Sequence, residues 1–137
     1  MTTTTSSATA DLAVVGALFD AFARGDLATF AERLAPDATW NHRNDDRLGG
    51  VHHGRDGIMA FLGESGQLTA GTLRAVPETL MADGEGRVAA VMRVSGRRPD
   101  GRAFDDQQML LCVIDGDRIR SFDQYIGDPG EVTAFWA

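Results

Sequence analysis

The sequence predicts an α+β cone: three N-terminal helices over a strongly curved, mostly antiparallel sheet, with a short C-terminal helix. Three observations lead there. Helical periodicity is concentrated before Gly71. After Gly71 the chain alternates strand-like runs with turn residues. The last ten residues, DPGEVTAFWA, open with a strong helix-start pattern. A bent sheet with helices across its open side encloses a concave interior, where small ligands bind.

The first helix is expected from about Thr9, a candidate N-cap, with Asp11 in the first turn. Val14, Leu18 and Phe22 recur at i, i+4 and i+8, with Val15 and Phe19 beside them. Gly25 is the stop. Asp26 can cap a second helix, LATFAERLA, which Pro36 ends. DATWNH reads as a short strand, RNDDRLGG as a loop, and RDGIMAFLGE as a third helix with Ile58, Phe61 and Leu62 on one side.

TLRAVPETLMA is the first of the later strands, and Pro77 in it implies an edge or a bulge. GRVAAVMRVSG follows, then a turn at RRPDGR, where proline presets one φ and glycine takes a positive one. FDDQQMLLCVI and RIRSFDQYI are strands joined at DGD. Asp128 as N-cap, Pro129 at N1 and Glu131 at N3 start the last helix. No repeat or linker interrupts residues 9–137, so they form one domain; residues 1–8 are expected to be a disordered tail of small polar residues.

The net charge of −7 argues against nucleic acid, whose phosphates require Lys/Arg patches, and against anionic membrane surfaces. No apolar run approaches the roughly 20 residues of a membrane span. The N-terminus lacks the basic cluster and apolar core of a secretory signal. Cys112 is the one cysteine, so an intrachain disulfide is impossible; within MLLCVI it reads as a buried small hydrophobe. A reducing, cytoplasmic setting fits this cysteine usage.

All three histidines, His42, His52 and His53, fall within residues 37–57, with Asp45 and Asp46 between them. Zinc needs three or four converging ligands, and neighbouring His52 and His53 diverge in extended backbone, so no metal is expected. His53 is expected to set the junction to the third helix and His52 to be solvated. Asp45 and Asp46 read as a solvated loop.

Four stretches resemble the SnoaL-like branch of the nuclear transport factor two-like (ketosteroid isomerase-like) superfamily: ALFDAFARGDLATFAERLAPDATW, GGVHHGRDGIMAFL, VIDGDRIRSFDQYIGDP and EVTAFWA. The resemblance spans about residues 11–137. It implies the cone fold, a homodimer through the sheet, and a hydrophobic small-molecule ligand. It also places a base at the end of the first strand on the cavity side, which is His42 here, with Trp40 on the same face. The matching strand phases turn Asp106, Gln108, Leu110 and Cys112 inward, and likewise Phe122, Gln124 and Ile126. The implied wall is Leu18, Phe22, Trp40, Leu110, Phe122 and Ile126; the polar groups are His42, Asp106, Gln108 and Gln124.

Departures from the superfamily's enzymes narrow the chemistry. Where ketosteroid isomerases carry their oxyanion-hole residues, this chain has Leu18 and Leu110. Where SnoaL-type polyketide cyclases carry an acid/base aspartate, it has Gln124, with Asp123 turned to the other face unless a bulge intervenes.

Three functions remain open. One is cofactor-free acid/base chemistry of isomerase, cyclase or dehydratase type on an apolar ring-containing substrate. In it, His42 moves the proton, Asp106 orients the ring with Asp45 as the alternative, and Gln108 and Gln124 hold a carbonyl. The second is a non-catalytic carrier of a hydrophobic small molecule. The third is a dimerisation or interaction domain with a vestigial pocket. His42 could equally be a strand-end histidine bonded to backbone, and Gln108 and Gln124 could lie on the outer, dimer-forming face.

Overall fold

The computed structural model describes residues 7–137, which form four α-helices and a six-stranded sheet. Of the tail expected over residues 1–8, the first six lie outside the described residues. Helix α1 (Ala8–Ala23) is capped two residues before Thr9 by Ser7, whose hydroxyl accepts from the Ala10 N–H at 3.0 Å. Gly25, at φ +71, follows the helix in the left-handed conformation that releases the chain. In α2 (Leu27–Glu32) Asp26 is the cap, accepting from both the Thr29 N–H and the Thr29 hydroxyl.

That second helix ends sooner than Pro36 would force it to. Strand β1 (Leu34–Arg43) has begun by then, tied in by the Ile119 N–H donating to Arg33 O at 2.8 Å. Exposed Pro36 and Asp37 fall in the irregular part of the strand, between the paired positions Leu34 and Thr39. Strand β2 (Gly50–His53) is a correction to the loop expected through Gly50: it pairs antiparallel with β1, His42 opposite Gly50 and Thr39 opposite His53. Four residues without alternation carry no strand signal of their own; the neighbour imposes the conformation. Helix α3 (Gly54–Leu68) runs past Glu64 because its inner stripe of Ile58 and Phe61 continues to Ser65, which is 3% exposed.

Strands β3 (Arg74–Ala82), β4 (Arg87–Arg97), β5 (Ala103–Asp115) and β6 (Arg118–Tyr125) follow, and α4 (Pro129–Trp136) closes the fold. The order across the sheet is β2-β1-β6-β5-β4-β3, with β1 and β6 parallel and every other pair antiparallel. Pro77 sits on the edge strand and at a bulge, since the β3–β4 register shifts between Pro77 and Thr79. Asp128 caps α4 by accepting from the Glu131 N–H at 3.1 Å.

Burial alternates along the central strands: Val88, Ala90, Met92 and Val94 of β4 are buried, and so are Phe104, Asp106, Gln108, Leu110, Cys112 and Ile114 of β5. Helices α1 and α3 cover this concave face. Helix α4 lies at one end, where Phe135 packs on Phe104 at 4.5 Å between ring centres and on Trp136 at 4.7 Å. No helix among the described residues is long and apolar enough to cross a membrane.

Candidate functional site

The concave face encloses one hollow of about 60 Å³. Its wall is apolar and comes from every layer of the fold: Leu18 and Phe22 from α1, Phe61 from α3, Met92 and Leu110 from the sheet, and Trp136 from α4. Its polar lining is His42, Gln108, Gln124 and Ser65. Strand alternation explains why the first three meet. His42 of β1 lies opposite Gln124 of β6 and shares a strand face with Trp40, while Gln108 lies on the same inner face of β5.

These side chains form a continuous chain of hydrogen bonds. The Trp40 indole N–H donates to Gln124 Oε1 at 2.9 Å, and His42 Nδ1 lies 3.0 Å from the same oxygen. Gln124 Nε2 donates to Gln108 Oε1 at 2.7 Å, and Gln108 Nε2 donates to Asp106 Oδ2 at 3.1 Å. Asp106 ends the chain by accepting the Gly127 and Asp128 N–H groups at 3.1 and 3.0 Å. Gly127 must be glycine for this approach, because a Cβ there would collide with Gln107 O and crowd Asp106 Oδ1.

The carboxylate beside His42 is Asp46. Its Oδ2 lies 2.9 Å from His42 Nε2, with the two side chains 0% and 3% exposed. Asn44 Nδ2 donates to that oxygen at 2.7 Å and the Leu48 N–H to the other at 2.8 Å. Burial works against the charge of Asp46, but the bonds from His42, Asn44 and Leu48 outweigh it and hold the carboxyl below its usual value. Asp106, the expected orienting group, does not touch His42; two glutamine amides separate them. Asp45 offers only its backbone carbonyl, to the Thr133 hydroxyl.

Of the expected wall, Leu18, Phe22, Trp40 and Leu110 line the hollow, together with His42, Gln108 and Gln124. Phe122 is buried behind it, against Trp40 at 4.4 Å between ring centres, and Ile126 stands outside the lining. Asp123 faces outward and pairs with Arg43 at 2.9 Å. Cys112 is fully buried, and burial pushes its thiol up to about 12.

Three further expectations are corrected. Asp46 is half-buried with its side chain wholly enclosed, not solvated, because the loop turns inward to meet His42. His52 is half-buried: its Nε2 meets Leu48 O at 2.8 Å and its ring stacks on Phe61 at 4.3 Å. His53 is exposed and makes no side-chain capping bond; at that junction Arg55 Nε instead donates to Leu34 O at 2.8 Å. Leu48, which also lines the hollow, and Asp46 escape sequence inspection because DDRL carries the composition of a wet loop. Phe61 carries a usable signal in its helix phase and Met92 in its strand phase.

A family model for the SnoaL-like domain matches residues 15–122. Uncharacterized proteins of Mycobacterium tuberculosis and Mycobacterium bovis are 34% identical over 128 residues, covering 93% of this chain and 97% of theirs. Bal32a, from a soil-derived mobile gene cassette, superposes with a TM-score of 0.91 at 27% identity, covering 95% of this chain and 98% of its own. TerC, co-crystallized with polyporic acid, superposes at 0.81 with 18% identity, covering 92% and 97%.

Proposed function

The chain belongs to the SnoaL-like family, and from that premise we propose that it binds an apolar small molecule inside the cone, with the Gln108 and Gln124 amides at the ligand's polar end. The observation behind this is the hollow itself: apolar side chains from all four helices and the sheet converge on one space, and hydrogen-bonding groups gather at the end near His42. TerC supports a small-molecule ligand, since a protein of the same fold was crystallized with polyporic acid.

At about 60 Å³ the hollow has room for a few waters, whereas an apolar cavity that takes up benzene measures about 150 Å³. A ring compound therefore enters as half-buried lining residues, Phe22, Leu62 and Leu73, swing outward. Trp40 and Trp136, the two tryptophans of the chain, both line the space, so intrinsic fluorescence reports occupancy. Titration with apolar ring ketones is expected to quench it saturably in the wild type, and not in Ala75→Phe, which fills the hollow with a phenyl ring. Equal binding by that variant would place the ligand elsewhere.

Cofactor-free proton transfer on the bound molecule is a second function, favoured by the buried His42–Asp46 pair beside the ligand space. His42 is then the residue that exchanges the proton, oriented by Asp46, while Asp106 acts at a distance by fixing Gln108 and Gln124. Loss of turnover in His42→Ala with ligand binding retained is the expected result; unchanged turnover would remove His42 from the chemistry. A homodimer through the outer sheet face belongs to the same proposal. Val76 and Met81 are 54% and 52% exposed there, beside Val91, Met109 and Leu111. Sedimentation equilibrium is expected to give twice the chain mass, falling to a monomer in Leu111→Asp.

A further inference from the structure

Two hydrogen-bond donors converge on one point at the polar end of the hollow, and that point holds a side chain of the protein itself. Trp40 Nε1 and His42 Nδ1 lie 2.9 and 3.0 Å from Gln124 Oε1. The sense of each bond follows from groups that have no alternative. An indole nitrogen only donates, so the Gln124 atom facing Trp40 is the amide oxygen. The Gln124 and Gln108 nitrogens then point toward Asp106, whose two oxygens already accept backbone N–H groups. The relay is anchored in the same sense at both ends, so neither amide can be reversed without losing a bond. His42 Nδ1 therefore carries a hydrogen.

The other ring nitrogen faces Asp46 Oδ2 at 2.9 Å, an oxygen that also accepts from Asn44. The carboxyl of Asp46 is held in its charged form by these bonds and by the Leu48 N–H, so it accepts and does not donate. His42 Nε2 consequently carries a hydrogen as well. With both nitrogens donating, the ring in this state can give a proton and can take one only after it has done so.

We propose that Trp40 Nε1–H and His42 Nδ1–H form a two-donor site for a single ligand oxygen, filled in this state by the chain's own Gln124 Oε1, and that Asp46 is the positioning residue that keeps His42 a donor. The site selects an uncharged acceptor such as a ketone, amide or lactone carbonyl. The charge of the doubly protonated ring is already matched by Asp46, so no net cation remains to offset burial of a carboxylate or phosphate. The nature of the natural occupant rests on the ligand-binding function above; the donor pair itself does not.

Nitrogen-15 spectra of the imidazoles in the ligand-free protein at neutral pH test the donor state. His52→Gln and His53→Gln assign the His42 signals by elimination. Both His42 nitrogens are expected in the protonated range, and Asp46→Asn is expected to move one of them out of it. One unprotonated nitrogen in wild-type His42 overturns the proposal. The site is tested by Gln124→Ala, which vacates the point between the donors. Acetamide, which restores the missing group, is expected to shift the Trp40 indole N–H resonance back saturably toward its wild-type position, while cyclohexane leaves it unmoved. No response to acetamide in the folded variant, or an equal response to both probes, overturns the two-donor site. If Gln124→Ala does not fold, the wild-type imidazole spectrum still decides the donor assignment on which the site depends. These spectra need no natural ligand, so a failed fluorescence titration would sink the binding function and leave this result standing.

Discussion

The two faces of strand β5 use similar residues to different effect. Asp106 and Gln108 point inward and are 5% and 3% exposed; Asp105 and Gln107 point outward and are exposed. Inward, every polar atom is bound to a named partner, and among the described residues no buried side-chain nitrogen or oxygen lacks one. Outward, Asp105 pairs loosely with Arg93 at 3.6 Å, and Gln107 donates to Glu78 at 3.3 Å. The lesson is that water sets the value of a polar side chain. Outside, a lost partner is replaced by solvent; inside, it leaves an unsatisfied group that costs about 1–3 kcal/mol, more if charged.

The sharpest way to break this contrast is Asp46→Ala. It removes the acceptor facing buried His42, Asn44 and the Leu48 N–H, and is expected to cost about 3 kcal/mol, read from urea unfolding. A loss under 1 kcal/mol would mean the pair is solvated in solution.

Asp106→Ala is expected to follow at about 2 kcal/mol, because it strands two backbone N–H groups and the Gln108 amide. Its signature beyond stability is a shift of the Trp40 indole resonance, transmitted through both glutamines. An unmoved resonance would show that the relay does not act as one unit.

Acid sharpens the same comparison. The folded-state carboxyl of Asp46 lies below the ordinary carboxylate range, so its contribution to stability is present above that range and is lost as the pH falls through the folded value. Wild type is therefore expected to lose stability below about pH 4 more steeply than Asp46→Asn. Parallel stability curves would remove Asp46 from the acid transition.

Arg93→Ala, on the outer face, is expected to change stability by less than about 0.5 kcal/mol, since both partners are well exposed. Smallest of all is the reactivity of Cys112. Buried and with its thiol pushed up to about 12, it is expected to react with a thiol reagent only as fast as the protein opens globally. Rapid labelling of the folded protein would show that this inner face is not sealed.

The sequence by itself determined the elements and their faces. Helical and strand periods reflect backbone geometry that each segment carries locally, so Trp40 shares a face with His42, Gln108 with Leu110 and Phe122 with Gln124 before any partner is known, while the resemblance to the SnoaL-like branch implies which face turns inward. Capping and turn residues are equally local, as at Asp26 and Asp128. Tertiary structure alone decided who meets whom. Strand β2 exists because β1 offers it a ladder, and Phe122 stands behind Trp40 because register and curvature place it there. Asp46 became the partner of His42, in preference to Asp45 or Asp106, because the Asn44–Gly49 loop folds back on itself. Gly49 permits this, since a Cβ there would collide with Asn44 O. Periodicity fixes the direction of a side chain, but a hydrogen-bond partner is fixed to a few tenths of an ångström by register, bulges and loop closure, which depend on contacts between residues far apart in the chain.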